Sequence, residues 1–154
     1  MNEVLVRNTI PCYKDKDGTV IFSQNDLPTC AKDVERLSVY RLCLNGVIDS
    51  DAFECTYVSK QKNNLTIRDE ELSNPTTFST SCFSLLKDIK KKQALFTKNH
   101  PSVVVAVGDI LEGFGRSCFD KELKPKTKSS HINWWIYSEA EPHNCFKEFN
   151  DEER

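Results

Sequence analysis

Apolar positions along this chain recur with two spacings, and the switches between them mark out its elements. Residues 3–13 read as a strand, with Val4, Val6 and Ile10 favouring extended backbone and Pro11 interrupting. Lys14-Asp15-Lys16-Asp17-Gly18 has the composition of a hairpin turn, and Thr19–Phe22 returns as a second strand. Asp26 before Leu27-Pro28 is a helix-start signal, and Leu27, Cys30, Ala31, Val34 and Leu37 follow helical spacing. The stretch Ser38–Gly46 fits two patterns. As a strand it sets Tyr40, Leu42 and Leu44 against Val39, Arg41 and Cys43. As a helix it runs on to an Asn45-Gly46 stop. Asp49 then caps a short helix carrying Ala52, Phe53, Thr56 and Tyr57.

Residues 59–76 are polar and read as the longest loop. After the hydroxyl-rich Thr77–Phe83 comes a helical run, Ser84–Phe96. Its apolar stripe is Leu85, Leu86, Ile89 and Phe96, and Lys87, Lys90, Lys91 and Lys92 take the wet side. Val103-Val104-Val105-Ala106-Val107 is the most apolar run and predicts a buried strand. Gly108–Ser117 is punctuated by glycine, and lysine-rich residues 121–128 read as a solvated loop. His131–Tyr137 is a strand by content. The pattern predicts an α+β fold: a mixed or antiparallel sheet of five to seven strands with two or three helices. One globular domain is expected over 1–147, with an acidic tail over 148–154.

Composition narrows the partners. A net charge of −2 gives no bulk attraction to nucleic acid or to a membrane surface, so neither is expected. No run approaches the roughly 20 apolar residues of a membrane span. Met1–Arg7 lacks the basic and apolar regions of a signal peptide. The 7 cysteines are odd in number and widely spaced, which disfavours a disulfide framework and favours a reducing, cytoplasmic setting. Most of the thiols are expected to serve as small core hydrophobes.

The candidate chemistry centres on Arg41 and Ser79-Thr80-Ser81. A guanidinium offers a fork of donors to a phosphate, and short hydroxyls can orient a sugar without filling a pocket. Tyr40-Arg41, then Phe78-Ser79-Thr80-Ser81, then a helix and Val103–Val107, and finally Glu139-Ala140-Glu141, together resemble the ADP-ribosyltransferase family over residues 39–140. The resemblance implies NAD as substrate, with Arg41, Ser79, Thr80, Ser81 and Trp135 holding it and Glu141, Glu139 and His131 as catalytic groups. It implies loss of nicotinamide through a ribosyl cation, which a carboxylate stabilises. A small NAD-binding effector or toxin, active or degenerate, is the functional expectation.

His131, Asn133 and Trp135 share one face of their strand, and Trp134 takes the other. One indole is expected in the core. The other would line a pocket or anchor a protein partner, the second functional reading being a non-catalytic subunit of a microbial or phage defence complex. Cys118, His131, His143 and Cys145 are the right residue types for zinc but lack compact ligand spacing, so no metal site is expected. Cys82 and Cys118 have no neighbour in sequence that would depress a thiol pKa. The lysines at 87–92 and 121–128 are read as solvated faces, with RNA or DNA contact alongside the late-strand aromatics as the lesser alternative.

Overall fold

A computed structural model describes residues 8–150. The chain forms an α+β fold around a six-stranded, wholly antiparallel sheet. A separate hairpin pairs β1 (Tyr13–Lys14) with β2 (Val20–Phe22), and its turn contains Gly18 at φ 83°, a conformation glycine adopts without steric cost. The large sheet contains β3 (Arg36–Cys43), β4 (Thr80–Phe83), β5 (Val104–Leu111), β6 (Gly115–Phe119), β7 (His131–Ile136) and β8 (Phe146–Glu148), in the spatial order β6-β7-β4-β3-β5-β8. The helices are α1 (Thr56–Lys62), α2 (Asp69–Leu72), α3 (Leu86–Phe96) and α4 (Asp120–Leu123). None is long and apolar enough to cross a membrane among the described residues.

Three expectations of local structure give way. Residues 26–37 are not a helix: a 3-10 turn covers Gln24–Asp26, an irregular stretch follows, and Leu37 already lies in β3. The same strand settles Ser38–Cys43 as extended. Eight consecutive registered pairs with β5, from Arg36↔Leu111 to Cys43↔Val104, outweigh the local helical spacing. Asp49 does cap, accepting a hydrogen bond from the Ala52 amide at 3.0 Å, but it caps a 3-10 turn over Ser50–Phe53. Thr56 and Tyr57 belong to the separate α1. The supposed loop 59–76 contains the end of α1, all of α2 and the start of a 3-10 turn over Pro75–Phe78. Of the strand expected over 3–13, residues 3–7 lie outside the described residues, and among the rest only Tyr13 is in a strand. Of the expected tail, Glu148 ends β8, and 151–154 likewise lie outside.

Alternation along the strands sorts the core into two faces. Val39, Cys43, Cys82, Ala106, Ile110, Ile132 and Trp134 form a dry face, closed by Phe53 and Phe146. On the opposite face, α3 packs Ile89 onto Leu42, Phe83 and Val105 at one end. At the other end the hairpin, α1 and Phe78 pack around Trp135 and Cys118. Both tryptophans are therefore 0% exposed, each in a different layer. Neither indole reaches the outer surface, because both faces of β7 are covered, but Trp135 does border a hollow, as one ring was expected to.

Candidate functional site

The sheet is continuous except between β3 and β4. These two strands, though neighbours in the sheet, share a single registered pair, Tyr40↔Phe83. Backbone carbonyls left without a ladder partner need another donor. Arg41 supplies it: Nη1 donates to the Ser81 carbonyl at 2.8 Å and Nε to the Ala52 carbonyl at 3.0 Å. The guanidinium thus ties the 3-10 turn of Ser50–Phe53 to the split. Thr80 adds a second tie, its hydroxyl donating to the Phe53 carbonyl at 2.7 Å.

Those two bonds leave three of the five guanidinium N–H donors without a partner among the described residues. Arg41 is partly buried and makes no ion pair with any described residue. It lies where two hollows meet. The first, of about 270 Å³, runs between α3 and the sheet. Arg41, Ser81, His131 and Lys92 bring its polar groups, and Leu42, Leu44, Phe83, Ile89 and Phe96 its apolar walls. The second, of about 320 Å³, shares Arg41, Leu42 and Leu44, then turns polar with Asp49, Glu54, Lys62 and His100.

His131 leans on Phe83, with ring centroids 5.2 Å apart and planes at 59°. Burial lowers its pKa, and the Asp120 carboxylate, 3.9 Å from Nδ1, offsets that only in part. The imidazole is neutral at pH 7 and offers one donor and one acceptor. Cys82 sits beside the guanidinium, yet burial outweighs that attraction and pushes its thiol up to about 12. Cys43 rises to about 11 for the same reason. Burial is also the main cause that raises the Cys118 thiol, so neither Cys82 nor Cys118 is a ready thiolate.

The predicted site residues therefore divide into three groups. Arg41, Ser81 and His131 come together in the cleft. Ser79, Thr80 and Trp135 are buried and committed to the fold. Ser79 donates to the Thr76 carbonyl at 2.7 Å, and the Trp135 indole N–H to the Pro75 carbonyl at 2.9 Å. Thr80 and Trp135 instead border a separate hollow of about 300 Å³, beside Tyr13, Phe78 and His143. Glu139 and Glu141 are exposed and line none of these hollows. The register explains their distance. His131 pairs with Phe83 at the cleft end of β7, whereas the glutamates follow Ile136 at the other end.

Residues 118, 131, 143 and 145 do not converge, and no group of three or more metal-ligating side chains occurs among the described residues. Sequence reasoning missed Lys92 and the apolar walls of the cleft. The available signal was Ile89, Lys92 and Phe96 at helical spacings of three and four, which puts Lys92 on the inner stripe of α3. No family model, no curated protein and no solved structure matches the chain.

Proposed function

We propose that this protein binds a nucleotide in the cleft between α3 and the split sheet, and that it binds without transferring ADP-ribose. The observation that carries the reading is Arg41, a partly buried guanidinium with spare donors and no carboxylate partner among the described residues, set between two hollows. Such a cation is stabilised by an anion delivered from outside, and its planar fork suits phosphate. Lys92 adds a second positive charge at the rim. Phe83, Phe96 and neutral His131 offer flat surfaces for a base. NAD, implied by the family resemblance, is one ligand of this class. Transfer chemistry needs a carboxylate at the ribose. The two glutamates expected to supply one stand away from the cleft, and the hollow under α3 is lined by no carboxylate, which is why binding alone is proposed.

Calorimetric titration with NAD, AMP and inorganic phosphate tests this. AMP or NAD is expected to bind and phosphate alone to bind more weakly, with no label passing from NAD to protein or nucleic acid. Arg41 also braces the sheet, so Lys92→Ala and Phe96→Ala give the cleaner comparison; each is expected to weaken binding several-fold while thermal unfolding stays in place. Saturation by neither nucleotide would end the reading, and label transfer would end its non-catalytic half.

A further inference from the structure

The two lysine runs stand some thirty residues apart in sequence but adjoin in space. Residues 128–130 are fastened to the start of α3. Ser130 accepts hydrogen bonds from the Leu85 amide through its hydroxyl at 3.0 Å and from the Ser84 amide through its carbonyl at 3.3 Å. The Ser130 amide in turn donates to Asp88 at 2.8 Å. Lys87, Lys91, Lys92 and Lys128 consequently border one hollow, and that hollow shares Phe83 and Lys92 with the nucleotide cleft. A further hollow shares Lys128 and Ser129 and adds Lys121. The result is a basic track leading away from Arg41.

Its acidic residues are already engaged. Asp88 accepts from Ser130, and Glu122 accepts from the Phe119 amide at 2.9 Å. Lys87, Lys91, Lys92, Lys121 and Lys128 make no ion pair with any described residue. A net charge of −2 conceals this, because charge averaged over the chain says nothing of one face.

We propose that the nucleotide held in the cleft is the end of a single-stranded nucleic acid, whose following phosphates lie along this track. The inference rests on the nucleotide reading above. Charge complementarity selects a polyanion. The aromatic surfaces at the mouth of the cleft select an unpaired strand, whose bases are free to leave the stack. A duplex keeps its terminal bases paired and offers the cleft nothing.

The test is fluorescence anisotropy with a short 5′-phosphorylated oligouridine, set beside titration with UMP. The oligonucleotide is expected to bind at least ~10-fold tighter than UMP, with affinity falling linearly in log salt. Replacing Lys87, Lys91 and Lys128 together by Gln is expected to flatten that salt slope by about 2 and to leave UMP affinity unchanged. These lysines are exposed, so the triple variant should fold. UMP binding with no gain for the oligonucleotide, or a gain the triple variant keeps, overturns this inference and leaves the nucleotide reading standing. Failure of UMP and the oligonucleotide to bind overturns this inference, and failure of NAD and AMP as well overturns both. Equal binding of a blunt duplex, or of anionic lipid vesicles, overturns the assignment to single strands.

Discussion

The two edges of β3 are built on opposite plans. Toward β5 the ladder is complete, with eight registered pairs and the dry residues Val39, Ala106 and Ile110 beneath it. Toward β4 one pair forms, and a charged side chain supplies the hydrogen bonds that the backbone no longer provides. The first edge is stable and chemically silent. The second costs ladder bonds but leaves a cation within reach of solvent. The proposed ligand site falls where backbone pairing runs out, because the donor recruited to satisfy two carbonyls has donors to spare.

The largest effect is expected where the split is sealed from below. Trp134 pairs across from Thr80 and packs edge-on against Phe53, with ring centroids 6.2 Å apart. Trp134→Ala should cost about 3–5 kcal/mol in urea unfolding. The lower end is expected, since its indole N–H is buried without a partner and the substitution also removes that penalty. An indole serving chiefly as a docking anchor would behave differently, losing partner capture at unchanged stability. Arg41→Met comes next. It leaves the Ser81 and Ala52 carbonyls without their donor and should cost about 2 kcal/mol. If it costs nothing, the guanidinium does not hold the split and the contrast between the edges collapses.

The same contrast separates what the sequence reveals from what it hides. The order of β4, α3 and β5 is readable because each element carries its own signal: hydroxyls at a strand, an apolar stripe at helical spacing, a valine run. Ser38–Gly46 reads two ways because β3 owes its extension to β5, whose Asp109 meets Ser38 from 71 positions away. No local window contains that pairing. Alternation places Trp134 and Trp135 on opposite faces correctly but cannot say that both faces are covered. In the site, Arg41, Ser81 and His131 are legible from residue chemistry. Glu139 and Glu141 are chosen by spacing alone, and spacing does not fix which end of β7 they follow. Ser79 and Thr80 have suitable hydroxyls, but nearby carbonyls claim them.

The smallest expected effect concerns a third junction, between α3 and the loop before β7, where a carboxylate plays the part that Arg41 plays at the split. Asp88 accepts hydrogen bonds from Ser130, and these hold its pKa below the usual carboxylate range. Lys87 and Lys91 add to the lowering, and burial opposes it. The sign follows from proton linkage. With the folded value below the unfolded value of about 4, the unfolded chain binds more protons in the interval between them. The stability that Asp88 contributes is therefore complete above pH about 4 and is lost as the pH falls through the lowered folded value. Asp88→Asn keeps an acceptor for the Ser130 amide but no longer titrates. Urea midpoints should place the wild type above this variant at pH 6, and the gap should close as the pH drops toward 3. A gap that persists unchanged into acid would mean that side-chain shape, not ionisation, fastens the loop. The second lysine run would then owe its position to packing, and only the split would depend on a charge.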